Sequence, residues 1–244
     1  MKQSIFTVLE NLPLTDNVYR MVLTGDTSDI TAPGQFVNIR LEGRFLRRPI
    51  SVCECIRDRL VLIYKVVGHG TEDMSRMRPG RKLDLLTGLG NGYDLTVAGE
   101  RPLLIGGGVG VPPMFMLARK LREAGKEVTV ILGFNTASEV FFEEEFKAIG
   151  CSVKVTTVDG SKGIKGFVTD AMEDGYTYFY TCGPEPMLKA IYKKSATSGQ
   201  FSFEERMGCG FGACMGCSCK TITGYKRICK DGPVLRKEEI LWED

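Results

Sequence analysis

The sequence predicts a β plus α/β chain: an antiparallel barrel, a parallel sheet with crossover helices, and a short tail organised by cysteines. Three observations carry this. The first ~100 residues break into short apolar runs separated by turn signals, the pattern of an antiparallel barrel or sandwich. From "AGERPLLIGGG" onward the period changes to strands alternating with helices, which implies a parallel sheet with crossovers. Lastly, "GCGFGACMGCSCKTITGYKRIC", residues 208–229, holds five of the nine cysteines and lacks apolar periodicity.

The barrel strands are expected at residues 4–9, 18–24, 36–41, 50–55, 60–66 and 82–86. "APGQFV" and "RPGRKL" read as tight turns feeding strands. In the second region, strands are expected at 103–107, 128–134, 152–158 and 176–182. Helices are expected at 112–124, where Pro112 and Pro113 suit a first turn, and at 140–149 and 184–197. This divides the chain into residues 1–99, 100–205 and 206–244, with no internal repeat.

Composition narrows the function classes. A chain of 244 residues can build one large or two medium cores. A net charge of +2 gives no basis for nucleic acid or an anionic membrane as partner. The N-terminal stretch alternates apolar and polar residues without a signal-peptide core, and no run approaches the ~20 apolar residues of a bilayer span. A cytoplasmic protein is therefore expected. Thiols stay reduced there, so clustered cysteines indicate metal or catalysis, and the odd cysteine count weighs further against a disulfide framework.

Cys209, Cys214 and Cys217 are spaced C-x4-C-x2-C, the run that wraps a [2Fe–2S] cluster in plant-type ferredoxins. Gly208, Gly210, Gly212 and Gly216 supply the unusual backbone angles and close approach such wrapping needs. Zinc sites more often pair two CxxC or Cys/His motifs, and the one histidine, His69, lies far away. Cys229 is the expected fourth ligand. Cys219, one residue removed from Cys217, is awkwardly placed to reach the far iron.

"RRPISV" puts Arg48 three residues before Ser51, so that Arg48 can pair with a pyrophosphate while Ser51 and the Ile50 backbone face a flavin edge. Taken alone, this reads better as a strand start with an exposed arginine. "IYKVVGHGTEDMSRM" then ends a strand and opens a short helix, where Gly70 and Thr71 fit an anion site. His69 is expected to be incidental. Further on, Gly107, Gly108 and Gly110 make a phosphate-sized turn before a helix, departing from G-x-G-x-x-G at Pro113. "YFYTCGPEPML" ends a later strand in Cys182, Gly183 and Pro184 on the same expected sheet edge. Cys182 is either near a nicotinamide or a small buried hydrophobe. "LGFNTASE" offers no arginine for a 2′-phosphate, which favours NAD over NADP.

In this order the motifs resemble the ferredoxin–NADP reductase superfamily, with Ile50 where that family carries an aromatic. "EERMGCGFGACMGCSCKT" narrows the resemblance: the whole chain is similar to the electron-transfer subunits of NAD-linked, two-subunit dihydroorotate dehydrogenases. The resemblance implies an FAD-binding barrel, an NAD-binding parallel-sheet domain and a small [2Fe–2S] domain. FAD would contact Arg48, Pro49, Ile50, Ser51, Ile63, Tyr64, Lys65, Gly70 and Thr71, and Cys209, Cys214, Cys217 and Cys229 would hold the cluster. It further implies an FMN-containing catalytic partner in a heterotetramer of two of each subunit. Electrons would pass from FMN through cluster and FAD to NAD+, in pyrimidine (UMP) biosynthesis, with no dihydroorotate-oxidising residue on this chain. The alternatives are a flavin/iron–sulfur subunit of a ferredoxin transhydrogenase or sulfhydrogenase and, from another class, a zinc-stabilised nucleotide-binding module.

Overall fold

A computed structural model describes residues 1–242. The first part is a closed antiparallel barrel of β1 (Lys2–Pro13), β2 (Val18–Thr24), β3 (Phe36–Arg40), β4 (Arg48–Ile56), β5 (Arg59–Lys65) and β6 (Lys82–Leu89), ordered β1-β2-β5-β4-β3-β6. A short helix, α1 (His69–Ser75), sits between β5 and β6. Alternation along the strands sends Phe6, Val8, Val37, Ile39, Leu60 and Leu62 into the barrel core. Gly34 (φ +90°) and Gly80 (φ +88°) take the left-handed angles of the two anticipated turns. The Gln35 side chain braces the first turn by accepting the N–H groups of Thr31 (2.8 Å) and Ala32 (3.0 Å).

The second part is a seven-stranded sheet. It is built from β7 (Pro102–Gly107), α2 (Val111–Glu123), β8 (Thr129–Phe134), α3 (Glu143–Ala148), β9 (Ser152–Thr157), β10 (Ile164–Lys165), β11 (Tyr178–Cys182), α4 (Glu185–Lys194) and β12 (Gly199–Ser202). The tail adds a hairpin, β13 (Ser218–Thr221) and β14 (Gly224–Arg227), then β15 (Val234–Arg236). The sheet order is β10-β9-β8-β7-β11-β12-β15, all parallel except β15. The chain winds outward from β7 through β8 and β9, then returns to place β11 on β7's other side. The ends of β7 and β11 therefore flank a topological switch point, where such sheets bind ligands. α2 lies between barrel and sheet, packing Met114, Phe115 and Leu117 into one core with Val22, Ile63, Leu104 and Val130. Arg119 of α2 pairs with Glu54 of β4 at 2.8 Å.

The structure departs from the sequence expectations in several places. β4 begins at Arg48, so the R-x-x-S motif lies within the strand. α3 begins at Glu143, later than expected, because Phe141 and Phe142 turn inward to stack edge-on with Phe134 and Phe115. The tail also has a larger core than its sequence suggests. Met207, Cys217, Ile228, Cys229, Leu235, Ile240 and Trp242 pack with Phe36 and Leu89 of the barrel and with Ile105, Phe179 and Phe201 of the sheet. Strands β10, β12, β13, β14 and β15 escaped notice because segments of two to four residues carry too little periodicity. Among the described residues no helix is long and apolar enough to cross a membrane.

Ile228, fully buried in this shared core, is a direct probe of it. Ile228→Ala is expected to cost about 2–5 kcal/mol. Trp242, the only tryptophan, packs on Tyr192 and Phe203, so its fluorescence reports tail docking in a urea titration. An unshifted Trp242 transition would show that the tail is held some other way.

Candidate functional site

The barrel opens at one place. Pairing between β4 and β5 stops at Val52–Leu62, so residues 48–51 pair with β3 alone and residues 63–65 with β2 alone. Two backbone edges thus face each other without a ladder between them, and the polar groups of an open edge seek partners. Arg48, Pro49, Ile50 and Ser51 are all half-buried here, whereas Val52 and Cys53 beyond them are buried. The side chains of Ile63 and Tyr64 turn away. Ile63 packs against α2, and Tyr64 fills the barrel, where its hydroxyl donates to Asn11 Oδ1 (2.9 Å) and burial pushes the phenol well above its usual range. A ligand in the opening would therefore meet the backbone of Ile63 and Tyr64, with the half-buried Lys65 beside it.

The two adjacent arginines have different environments. Arg47 is consumed internally, binding Asp84 Oδ1 (3.0 Å) and Oδ2 (3.2 Å) and donating to the carbonyls of Asn38 and Asp84. Arg48 has no carboxylate within ion-pair distance among the described residues. It donates to the Leu46 carbonyl (2.5 Å) and lies across the first turn of α1, where a Cβ on Gly70 would overlap its Nε. Thr71 Oγ1 accepts the N–H groups of Val67 (2.9 Å) and Gly68 (3.3 Å) and donates to the Gly68 carbonyl (3.0 Å). Its hydroxyl therefore closes the turn, and only its backbone is left for an anion. His69 is exposed, with Nδ1 3.5 Å from the Glu72 carboxylate.

At the switch point the two predicted strand ends touch. Cys182 pairs with Gly106 across the β11–β7 ladder. A Cβ on Gly110 would overlap the Cys182 carbonyl, and Cβ atoms on Gly107 or Gly183 would overlap the Met187 side chain. Pro184 is the cap of α4. Gly108 takes φ +52°, which only glycine adopts without strain. This turn also lies against β5, joining the switch point to the barrel opening. Burial pushes the Cys182 thiol up to about 12, so at neutral pH it is a protonated, poorly nucleophilic group.

The cysteine loop rests on the outer face of β3. Val37 and Ile39 point into the barrel; Phe36 and Asn38 point out, and Asn38 Nδ2 donates to the Cys209 carbonyl (3.2 Å). Arg227 holds the loop's other side, donating to the Gly212 carbonyl (2.9 Å) while paired with Asp231. The thiols form two pairs. Cys214 Sγ accepts the Cys209 N–H (3.4 Å), and Cys217 Sγ accepts the Cys229 N–H (3.4 Å). Cys209 Sγ accepts N–H groups from Phe211 (3.5 Å) and Ala213 (3.2 Å). Burial raises the Cys209 thiol, but the donors led by Phe211 N–H outweigh it and lower it to about 6, the thiolate range a metal ligand needs. Among the described residues no three Cys, His, Asp or Glu side chains converge on one point. Two thiol pairs fit a [2Fe–2S] cluster, which takes four cysteine ligands. Cys219 stands apart on β13, opposite Lys226.

Sequence reasoning missed Asn38 and Arg227, which position the loop. The one available signal was a lone polar residue in the apolar run "FVNIR".

A barrel opened beside a parallel-sheet switch point, with paired thiols against both, defines an oxidoreductase of the ferredoxin–NADP reductase type with an appended iron–sulfur region. Residues 204–241 match the model of the "iron-sulfur cluster binding domain of dihydroorotate dehydrogenase B", and residues 104–193 match an "oxidoreductase NAD-binding domain". The chain is 43% identical over 256 residues to the "dihydroorotate dehydrogenase B (NAD(+)), electron transfer subunit" of Geobacillus sp. (strain WCH70), covering 99% of each. It is also 43% identical over 257 residues to the subunit of that name from Fusobacterium nucleatum, covering 98% of this chain and 99% of the other. The solved structure of an NADH-dependent reduced ferredoxin-NADP oxidoreductase aligns with TM-score 0.87 at 30% identity, over 97% of this chain and 89% of that one. A ferredoxin NADP+ reductase from Neisseria gonorrhoeae, at 17% identity and TM-score 0.70, shares the fold. The chain belongs to the family of dihydroorotate dehydrogenase B (NAD(+)) electron transfer subunits.

Gly110 offers a clean test of the switch-point geometry. Its φ of −81° suits any residue, so Gly110→Ala acts only through overlap with the Cys182 carbonyl. The substitution is expected to raise the KM for NADH by roughly 5- to 150-fold by separating the two turns, the equivalent of ~1–3 kcal/mol for overpacking. An unchanged KM would show that the contact is irrelevant to the nicotinamide nucleotide.

Proposed function

We propose that this subunit passes electrons from an FMN-containing, dihydroorotate-oxidising partner to NAD+ through a [2Fe–2S] cluster and FAD, in pyrimidine biosynthesis. The cluster is held by Cys209, Cys214, Cys217 and Cys229, with Cys229 favoured over Cys219 by its contact with Cys217. FAD occupies the opening between residues 48–51 and 63–65. There Arg48 pairs with the pyrophosphate, Pro49, Ile50 and Ser51 line one edge and Ile63, Tyr64 and Lys65 the other, and the Gly70 and Thr71 backbone completes the anion site. NAD+ is taken at Gly107, Gly108 and Gly110 on one strand end and Cys182, Gly183 and Pro184 on the other. When bound, the cluster supplies one-electron transfer and the flavin converts two such electrons into the hydride that NAD+ accepts. The chain's own residues bind, orient and exclude water, and none is assigned a catalytic role.

The observation that carries this reading is the break in pairing after Val52–Leu62, which leaves two bare backbone edges where the flavin motif lies. Support for the order of the path comes from the shared core: Cys217 and Cys229 are 2% exposed against Phe36, while Phe211 (42%) and Met215 (53%) face out. The inner pair adjoins the barrel, and the outward residues offer the partner an apolar contact. We place the complex in the cytoplasm as two of each subunit, and divide this chain at residues 1–99, 100–205 and 206–244.

Two substitutions and a spectrum test the reading. The purified chain is expected to absorb in the visible as flavin plus cluster; a colourless protein would defeat it. Arg48→Ala is expected to weaken FAD retention roughly 10- to 150-fold, the ~1.5–3 kcal/mol of a hydrogen bond to a charged group. Undiminished flavin after gel filtration at low micromolar protein would remove Arg48 from the site. Cys214→Ser is expected to lose the cluster and dihydroorotate-dependent NAD+ reduction, while NADH still reduces a dye that takes electrons from the flavin. A Cys214→Ser complex with a normal cluster spectrum and full NAD+ reduction would overturn the ligand assignment.

A further inference from the structure

Asn38 is an anomaly by ordinary packing rules. It is 1% exposed, in the run Phe36–Val37–Asn38–Ile39 whose other members are apolar and buried. Its Oδ1 is buried without a hydrogen-bond partner. An unsatisfied buried acceptor costs about 1–3 kcal/mol, and an apolar residue of similar volume would avoid that cost. The orientation of the side chain is not free. Nδ2 faces the Cys209 carbonyl at 3.2 Å, and a flipped carboxamide would set two oxygens against each other. The loop is shaped to this amide, since a Cβ on Gly210 would overlap Nδ2 and Gly210 takes φ +78°. The Asn38 carbonyl, in turn, receives Nη1 of Arg47 at 3.2 Å.

Asn38 also stands beside the flavin strand in the sheet. In the β3–β4 register Asn38 stands opposite Pro49, the middle of the R-P-I-S stretch, and Pro49 has no N–H to donate.

We propose that Asn38 is a positioning residue for electron transfer: its amide N–H ties the first cysteine of the loop to β3, the strand paired with the flavin strand. The inference rests on the cofactor assignments above and adds a residue that sets the separation and polarity of the gap between the two groups. One side chain then makes the cluster's placement depend on the flavin strand, through a single rigid strand position.

The test uses the full chain, loaded with FAD and iron, carrying Asn38→Ala or Asn38→Asp. The aspartate is isosteric but lacks the donor and places a negative oxygen against the Cys209 carbonyl. FAD and iron content, the electron paramagnetic resonance spectrum of the reduced cluster, its midpoint potential and the flavin-to-cluster transfer rate after mixing with NADH are compared with wild type. Both variants are expected to alter the resonance line shape of the reduced cluster. Asn38→Asp should lower the cluster potential, and transfer should slow by up to about 100-fold, the scale on which a misplacement of about 1 Å acts. An Asn38→Asp protein that keeps FAD but cannot hold the cluster also supports the tie, provided that Asn38→Ala, which removes the donor without adding charge, weakens cluster retention in the same direction. Variants that load both groups and match wild type in spectra, potential and rate overturn the proposal. Wild-type protein lacking FAD or iron would instead defeat the cofactor assignments themselves.

Discussion

The rest of the structure depends on an apolar seam in which three separately encoded regions bury one another. Phe36 and Leu89 supply the barrel's outer face, Ile105, Phe179 and Phe201 the sheet, and Ile228, Leu235 and Ile240 the tail. Each fully buried side chain of this size contributes about 1.5–3 kcal/mol when removed from water. That burial lets a glycine-rich loop hold a defined conformation despite the backbone entropy its glycines retain when unfolded. Cys217 and Cys229 are part of the seam, so the thiol pair nearest the barrel is dry while Cys214 is exposed.

Around that seam, function is placed by interrupted regularity. The barrel ladder between β4 and β5 stops early and leaves two backbone edges free, and Arg47 and Arg48 divide their work at that point. Arg47 is bound by Asp84 and neighbouring carbonyls, which ties β6 and β3 to the start of β4. Arg48, one residue later on the opposite face, keeps its charge unpaired by any described carboxylate over the first turn of α1. At the switch point, close approach has the same role, since backbone meets backbone between Gly110 and Cys182 with no room for a side chain.

The cysteine spacing, the order of the motifs and the change from barrel-like to alternating periodicity were all legible along the chain. So were β2, found at its expected bounds, and the two glycine turns at Gly34 and Gly80. These are local properties: a turn needs its glycine, a strand its alternation, and a cluster loop its thiol intervals, whatever lies across from them. The late start of α3 was not legible, because Phe141 and Phe142 follow helix periodicity until a distant Phe115 and Phe134 draw them inward. The tail's core was not legible either, since partners such as Phe36, Leu89 and Ile105 lie more than a hundred residues earlier.

By itself, then, the sequence determined which chemistry the chain carries: thiolates at iron–sulfur intervals, an arginine before a serine on a strand, and glycines where phosphate needs room. Only the tertiary structure decided how those chemistries face one another. It alone shows Asn38 between Cys209 and the strand of Pro49, the arrest of pairing after Leu62, and the contact of the two strand ends at the switch point. The physical reason is sequence distance. Asn38 and Cys209 are separated by 171 residues, and nothing in either neighbourhood encodes the register that brings them to 3.2 Å. That register is set by burial of the whole seam at once, a cooperative property of packing rather than of any segment.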